Sequence, residues 1–396
     1  MILRQCRDAL PACSSLAARL APNALGALGG SREYATADLA QFAVKNKGLK
    51  AGPGGRSSVS GVTATVFGCS GFLGRYIVNA LARQGTQVVV PYRRDDVDVQ
   101  YLRQMGDLGQ VYVWKEFNVR DDSHIRDAIK RSNVVINLMG LDKETWNYSF
   151  EDVHIDAATR IAQAAADNPL TERFVQFSCI GASDKAASRR LRTKAAGDAA
   201  VRSILPYATI FKPGHVVGTE DRLFNAYAIL AKQMPFIPLV GGGETRLQPT
   251  YVRDIADAVV HSLKTKESLA KDYYLAGPEV LTVRDIVELV FNTIREPISI
   301  VPIPLALARL LAIPREKLFK SIPIPVNTLF TADYIEEMTQ DHVLPPNVLT
   351  YADLEVVPKK VTEGFPIEHL RHYRVGGYDV GTTSGSATTG GAGYTG

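Results

Sequence analysis

The fold is decided by Val62-Thr-Ala-Thr-Val-Phe-Gly-Cys-Ser-Gly-Phe-Leu-Gly74, which is followed directly by Arg75-Tyr-Ile-Val-Asn-Ala-Leu-Ala-Arg83. The apolar, β-branched run predicts a buried strand, the glycines predict a tight turn, and the amphipathic segment predicts a helix. Backbone N–H groups at the start of such a helix favour a phosphate. We therefore expect a dinucleotide site here, although tight turns also use glycine for conformational reasons alone.

Each of the three glycines has a separate role in the turn. Gly68 permits the tight turn, Gly71 lets backbone approach a pyrophosphate, and Gly74 allows the helix to pack closely on the strand. The predicted phosphate-binding residues are therefore those of the whole turn, namely Gly68, Ser70, Gly71, Phe72, Leu73 and Gly74.

Length and composition indicate a globular protein with a large core. The chain has 396 residues, 46% of them hydrophobic, and a net charge of +4 with a pI of about 8.7. No long run of Lys and Arg suggests a nucleic-acid partner, and no apolar run reaches the roughly 20 residues of a membrane-spanning helix. The cysteines lack CxxC spacing, so neither a metal site nor a disulfide scaffold is expected; they are Cys6, Cys13, Cys69 and Cys179.

Both ends of the chain differ in composition from its middle. Residues 1–34 are rich in Ala, Leu and Ser, with several arginines and few acids, which is typical of a mitochondrial transit peptide. A disordered, Ala-rich terminus is the alternative. Residues 35–60 form a lead-in that ends in a polar, Gly-rich run, and the Gly/Thr/Ser-rich tail at 376–396 is expected to be disordered.

From Gly61 onward, strand and helix patterns alternate, which predicts an α/β fold with a doubly wound parallel sheet of the Rossmann type. We assign 61–220 to a nucleotide-binding domain and 221–375 to a smaller C-terminal α/β portion with an extension. Further strands are predicted at Val88–Tyr92, Val111–Phe117, Asn133–Gly140 and Arg173–Ser178, and helices at Ser123–Arg131, at Glu151–Ala165 and from Glu220-Asp-Arg222.

The residues after the second strand bear on the choice of cofactor. Arg93 and Arg94 follow it directly, and a guanidinium pairs well with a ribose 2′-phosphate, which favours NADP(H). Asp95 and Asp96 come next, and a carboxylate there could bind the ribose hydroxyls of NAD instead. We expect NADP(H), with NAD(H) less favoured.

Ligands of open α/β sheets bind outside the carboxyl ends of the strands. Asn118 and Val119 are therefore expected to border the adenine, and Leu138, Met139 and Gly140 to pass beneath the ribose. On the helix predicted over 151–165, His154 is expected to be packed or hydrogen-bonded.

Several motifs together resemble the extended or atypical short-chain dehydrogenase/reductase family, over about 61–302. They are Gly68-x-x-Gly71-Phe-Leu-Gly74, Asn137-Leu-Met-Gly140, Asp152-Val-His-Ile-Asp156, Pro213-Gly-x-x-x-Gly218 and Gln248-Pro-Thr-Tyr-Val-Arg-Asp-Ile-Ala256. The resemblance implies a Tyr-x-x-x-Lys pair on the helix after the fifth strand. In that pair the tyrosine is the acid or base, and the lysine lowers its pKa and holds the nicotinamide ribose.

Here Lys194 is present, but the position four residues earlier is Arg190. An arginine, with a pKa above about 12, offers no usable proton at neutral pH, so we expect no catalytic residue. Lys194 is expected to bind the ribose, or else to be an exposed helical cation. Ser178 is expected to line the pocket and Pro213 to close its nicotinamide end. No acid stands at a telling spacing from His215, so we do not expect it to be catalytic.

Two stretches near the C-terminus are ambiguous. Residues 303–313 are apolar with one arginine, and 315–320 are charged. This pattern fits an amphipathic helix on a membrane surface or protein partner, with lipid contact over 303–320, and fits equally a buried helix. His369 and His372 lie among arginines, which indicates a solvated basic face rather than a metal site.

A narrower resemblance joins the transit peptide, the missing tyrosine and the long C-terminal region. These features, with Asn118-Val-Arg-Asp121, Lys194-Ala-Ala-Gly-Asp198, Lys212-Pro-Gly214 and Glu220-Asp-Arg222, are similar to the short-chain-dehydrogenase-like accessory subunits of respiratory complex I. The resemblance implies a tightly held, structural NADPH and other complex I subunits as partners, near the quinone site where the matrix and membrane arms join. It also implies a peripheral place on the matrix side of the mitochondrial inner membrane. The alternatives are an active NADP-dependent reductase or epimerase of the mitochondrion, and an NADP(H)-binding redox sensor.

Overall fold

A seven-stranded parallel sheet organises the protein and confirms the predicted fold class. The computed structural model describes residues 58–93, 96–296, 299–310, 312 and 331–374, so the predicted transit peptide and the predicted C-terminal tail lie outside the described residues. The strands longer than two residues are β1 (Thr63–Phe67), β2 (Gln87–Pro91), β3 (Val111–Trp114), β4 (Val134–Asn137), β5 (Arg173–Phe177), β6 (Thr209–Pro213), β7 (Phe236–Val240), β8 (Asp272–Leu275) and β9 (Ser299–Ile303).

The order of strands in the main sheet is β8-β6-β5-β4-β1-β2-β3. β1 pairs with β2 on one side, where Thr63 faces Gln87, and with β4 on the other, where Ala64 faces Val134. The direction of chain progression therefore reverses at β1. In an open parallel sheet this reversal creates a crevice at the carboxyl ends of the strands, where ligands bind.

The helices flank this sheet and fill the second half of the chain. They are α1 (Phe72–Arg83), α2 (Asp122–Ile129), α3 (Ala158–Asp167), α4 (Arg189–Ile204), α5 (Phe224–Gln233), α6 (Val252–Lys264), α7 (Val283–Ile294), α8 (Ala332–Glu337) and α9 (Phe365–Leu370), with a further helical run at 305–310. α1 and α6 pack together against β1, β2 and β4 in one apolar core, and α2, α3 and α4 pack on one another. None of the helices among the described residues combines the length and the apolar character needed to cross a bilayer.

The turn after β1 has the geometry that its glycines predict. Gly68 has a φ of +78°, which side chains rarely adopt, and α1 begins directly after Gly71. A Cβ on Gly74 would lie 2.6 Å from the Cα and carbonyl oxygen of Cys69. Only glycine therefore allows α1 to lie this close to the end of β1.

Several predicted element boundaries were wrong by a few residues. The third strand ends at Trp114 rather than Phe117, and Glu116 turns the chain with a φ of +59°. The helix expected from Glu220 begins only at Phe224. The cause is Asp221, whose carboxylate accepts the N–H groups of Gly218 and Asn225 and so holds a turn ahead of the helix.

The helix predicted over 151–165 opens with a π-helical turn, Asp152–Ala157, before α3 begins. Within this turn His154 is buried; its Nε2 accepts the Leu141 N–H at 3.1 Å, and its Nδ1 lies 2.9 Å from Thr193 Oγ1. Burial lowers the pKa of His154 to about 3, with the charges of Lys194 and Arg190 adding to the effect. The structure thus confirms a neutral, hydrogen-bonded histidine.

The second half of the chain has a core of its own. α5 and α7 pack on each other, and β7 and β9 pair in parallel beside them. α7 begins with a reciprocal capping box formed by Thr282 and Asp285. β8 nevertheless joins the edge of the main sheet beside β6. The whole stretch 313–320, part of the predicted lipid contact, lies outside the described residues.

We predict that Gly197→Ala destabilises the fold, because a Cβ there would lie 2.0 Å from the backbone oxygen of His154, where α4 crosses the π-helical turn. Overpacking against backbone typically costs about 1–3 kcal/mol. Urea unfolding measures the difference. Gly140→Ala is the control, since its Cβ would meet only His154 Nε2 at 3.9 Å. Equal free energies of unfolding for the two variants would contradict this packing.

Candidate nucleotide-binding site

The carboxyl ends of the central strands open into a cleft of about 340 Å³. This volume is in the usual range of small-molecule sites. The cleft is formed by the turn after β1, the ends of β4, β5 and β6, and the first half of α4. Most of the predicted site residues line it together, namely Gly68, Gly71, Phe72, Leu73, Gly74, Leu138, Met139, Gly140, Ser178, Lys194 and Pro213.

The remaining predicted residues lie outside the lining of this cleft. Ser70, Arg93 and Asn118 are exposed, and Val119 is buried, so these four are not brought together with the others. The guanidinium of Arg93 lies 5.7 Å from the centre of the Tyr148 ring. Arg94 lies outside the described residues.

The turn and the start of α1 fit a phosphate group. A Cβ on Gly68 would lie 3.0 Å from the backbone of Leu138, so only a residue without a side chain fits at this position. No acidic residue stands in the first turn of α1, and no side chain among the described residues caps its N-terminus. The helix start therefore presents N–H groups and the positive end of its dipole, which is the environment that a pyrophosphate requires.

Ser178 and Lys194 mark the opposite end of the cleft. Lys194 Nζ donates to the backbone oxygen of Ser178 at 3.4 Å, so the lysine points into the cleft. Ser178 Oγ is buried beside the carboxyl group of Asp198, to which it hydrogen-bonds. A hydroxyl that donates to a carboxylate can still accept a hydrogen bond, which a ribose hydroxyl or a carboxamide at this end would donate.

Arg190 also lines the cleft, where its guanidinium pairs with the carboxylate of Glu337. Arg190 Nε donates to one carboxylate oxygen at 3.1 Å, and Nη2 makes a short contact with the other. The two side chains are only 15% and 4% exposed. Burial alone would raise the pKa of Glu337, but the charge and hydrogen bonds of Arg190 outweigh it and lower this pKa to about 2. Both groups are therefore charged.

A second carboxylate fixes the start of the same helix. Asp333 accepts the Ser188 hydroxyl at 2.7 Å and the Arg189 N–H at 2.6 Å, at the N-terminus of α4. An anion is favourable at this position because the helix dipole is positive there. Sequence reasoning missed Asp333, Glu337 and His342, and no local pattern links them to α4, since some 140 residues separate them.

The cleft contains a group of buried titratable residues that the sequence did not reveal. Ligand atoms of His215, Glu337 and His342 lie within 4.8 Å of one another, so an acid lies near His215 in space although none stands at a telling spacing in the sequence. Glu337 is nevertheless occupied by Arg190, so a metal ion would have to compete with a guanidinium for this carboxylate. Burial lowers the pKa of His215 to about 4, with the charge of His342 adding to the effect, so this ring is neutral at physiological pH.

Tyr334 lines the cleft as well, and it is the one tyrosine among the lining residues that the structure describes. Its pKa is raised well above the ordinary value, first by burial and then by Tyr227 and Glu337. A tyrosine that serves as acid and base needs a pKa near the working pH. Tyr334 is therefore poorly suited to serve as an acid and base.

Comparison with known proteins agrees with this fold and site. The NAD dependent epimerase/dehydratase family matches residues 64–277. A protein of Arabidopsis thaliana, the mitochondrial NADH dehydrogenase [ubiquinone] 1 alpha subcomplex subunit 9, is 44% identical over 84% of this chain and 83% of its own length. Its namesake in Mus musculus is 41% identical over 82% of this chain and 83% of its own. The chain belongs to the subunit 9 family.

Other similarities extend this assignment. A relative of the subunit 9 family from Neurospora crassa, the mitochondrial 40 kDa subunit of NADH-ubiquinone oxidoreductase, is 38% identical over 82% of this chain and 83% of its own. MoeE5, solved with UDP-glucose and NAD, has a TM-score of 0.58 and 15% identity over 79% of this chain and 99% of its own. The structural match shows the Rossmann-type fold alone, and the sequence relatives confirm the predicted resemblance to complex I subunits.

The site makes a prediction about pH. Asp198 lies four residues after Lys194 on α4, and burial raises its pKa to about 6, although a hydrogen bond from Ser178 and the charges of Lys212 and Lys194 limit the rise. Because its pKa in the folded protein exceeds the unfolded value, Asp198 stabilises the fold most below about pH 4, and this contribution is lost as the pH rises through 6.

Asp198→Asn should therefore gain stability relative to the wild type between pH 4 and pH 7.5, by on the order of 2 kcal/mol. Urea unfolding at both pH values measures this difference. Asp156→Asn, at an exposed position of the π-helical turn, is the control. If the two variants differ from the wild type by amounts that do not change with pH, the assignment to Asp198 is wrong.

Proposed function

We propose that this chain is a non-catalytic accessory subunit of mitochondrial complex I that holds NADPH as a structural cofactor. The observation that carries the proposal is the buried pair of Arg190 and Glu337, at the position where an active relative would need a proton donor. The names of the relatives support a role within complex I, and the phosphate-binding turn supports a bound nucleotide.

In this proposal each end of the cofactor has its own binding residues. Gly68, Gly71 and the start of α1 bind the pyrophosphate, while Ser178 and Lys194 bind the nicotinamide ribose. Bound NADPH would bring a hydride donor and a negatively charged, rigid framework. The hydride is not transferred and the nucleotide serves only as this framework, because no lining residue of the described chain has the pKa and position of the missing tyrosine.

Arg93 supports NADPH over NADH. It lies two residues after the end of β2 in an exposed position, and it forms no ion pair within the described parts of the chain, so its guanidinium remains available for a 2′-phosphate. We propose that Arg94 and Asn118 border the same adenosine end, with Ser70 beside the pyrophosphate and Val119 packed behind the adenine.

A bound nucleotide can stabilise a subunit without turnover. A ligand that binds only the folded state adds about 2.7 kcal/mol at a hundredfold excess over its Kd. The nucleotide touches the turn after β1, the end of β4 and α4 in this arrangement, and so ties together elements that are distant in the sequence. We propose that this stabilisation supports assembly.

We place the subunit peripherally on the matrix side of the inner membrane, near the quinone-site junction of the two arms. The names of the relatives support complex I subunits as its partners. Leu307 and Leu310 are 46% and 67% exposed on the helical run 305–310, which supports contact of 303–320 with lipid or with a neighbouring subunit.

Arg93→Gln tests the cofactor. We expect its affinity for NADPH to fall about tenfold or more, because a charge-assisted hydrogen bond to phosphate is lost, while its affinity for NADH stays unchanged. Titration calorimetry measures both. Arg83→Gln is the matched control, since Arg83 is an exposed arginine at the far end of α1. An equal loss for both nucleotides would remove the argument for NADPH.

Native gels test the assembly role. Mitochondria that lack this subunit are complemented with the wild type or with Gly68→Val, whose side chain would meet the backbone of Leu138 and require a strained φ. The wild type should migrate with complex I and release NADPH on denaturation, whereas Gly68→Val should carry no nucleotide and leave less assembled complex. Normal complex I without nucleotide, or a wild type that migrates as a free monomer, would refute the proposal.

A further inference from the structure

Residues 331–342, here called the docked segment, form one wall of the nucleotide cleft. Asp333, Tyr334, Glu337 and His342 all line the same cleft as the glycine turn and Lys194. The segment begins with α8 and follows a stretch outside the described residues.

On one side the docked segment is bound to the nucleotide-binding half. Asp333 accepts hydrogen bonds from the first turn of α4. Glu337, four residues after Asp333 on α8, pairs with Arg190. His342 Nδ1 lies 3.4 Å from the backbone oxygen of Ile180, just after β5. These contacts reach the helix that carries Lys194 and the loop that carries Cys179.

On its other side the docked segment is bound to the C-terminal half. The Arg246 N–H donates to Asp341 at 2.9 Å, and the His342 N–H donates to the Arg246 carbonyl at 2.9 Å. Thr245 Oγ1 donates to the carbonyl oxygen of Met338. Met338 and Tyr334 pack into the core of this half. The docked segment therefore bridges the two parts of the chain across the cleft.

Neighbouring arginines on α4 show why Arg190 matters for this bridge. Arg189 also forms ion pairs, with Glu144 and Glu151, but neither partner belongs to the docked segment, and the side chain of Arg189 is 48% exposed. Water screens such a pair, and its contribution to stability is small. The pair of Arg190 with Glu337 is buried, so the loss of either partner leaves an uncompensated charge in the protein.

We propose that the docked segment closes the substrate side of the cleft, that Arg190 is its anchor, and that nucleotide binding and docking stabilise each other. The inference deepens the proposed function and rests on it in taking a nucleotide as the ligand of the cleft. Coupling follows because the nucleotide and the docked segment share the same walls, and coupling between two binding events is reciprocal. Arg190 neutralises Glu337, whose free carboxylate would leave an uncompensated negative charge in a cleft that binds an anionic nucleotide.

In this arrangement Arg190 has a structural role, as the anchor of the docked segment. The residue at this helix position no longer handles a proton; it holds a part of the chain where an active relative would admit a substrate. A carbonyl substrate and the docked segment would compete for the same space beside Ser178 and Pro213. The site is thus arranged to keep a nucleotide rather than to turn it over.

Hydrogen–deuterium exchange of the whole protein, with and without NADPH, tests the proposal. We expect NADPH to slow exchange in peptides of 331–342 by roughly fivefold to a hundredfold, the usual range of such couplings. Arg190→Met should speed exchange of these peptides and weaken NADPH binding by a similar factor. Arg189→Met, on the same helix, should leave both unchanged. Should Arg190→Met not fold, Asp333→Ser removes the other clamp and should act in the same direction.

Two results would overturn the inference. One is NADPH binding that leaves exchange in 331–342 unchanged. The other is equal exchange and equal affinity in Arg190→Met and Arg189→Met. If the wild type binds no nucleotide at all, the proposed function fails. Hydrogen exchange of Arg190→Met and Arg189→Met without NADPH then tests only whether Arg190 anchors the docked segment. Faster exchange in Arg190→Met than in Arg189→Met supports an anchor, and equal exchange excludes it.

Discussion

The site depends on the buried ion pair between Arg190 and Glu337. Placing two charges in a poorly solvated interior is costly, and the pair persists only because each partner satisfies the other at close range. Glu337 thereby fixes the start of α4, the docked segment and the wall of the cleft in one arrangement. A guanidinium paired with a carboxylate in this way neither donates nor accepts a proton at neutral pH.

The sequence predicted those features that local patterns determine. The glycine at position 68 predicted a tight turn, and the structure shows a positive φ there. The glycine at position 74 predicted close packing of the helix on the strand, because the two elements follow one another directly in the sequence. Spacing of four placed Lys194 on the face of α4 that lines the cleft. The parallel sheet followed from alternating strands and helices.

The sequence could not predict contacts that only the tertiary fold creates. A buried arginine requires a carboxylate partner, yet nothing in the sequence identifies Glu337 among the acids of the chain. For the same reason, the sequence did not show that Glu337 lies near His215. The late start of α5 arises from the hydrogen bonds of Asp221 to backbone N–H groups, which depend on how the chain turns after β6.

The central claim is that this protein holds a nucleotide without using it, and the fate of the transferable hydride tests it directly. The protein is loaded with NADPH deuterated at C4 of the nicotinamide and incubated with a panel of carbonyl substrates, and the nucleotide is extracted for mass spectrometry. The account predicts that the nucleotide remains reduced and keeps its deuterium. Loss of deuterium, with formation of NADP⁺ and a deuterated alcohol in matching amounts, would contradict it.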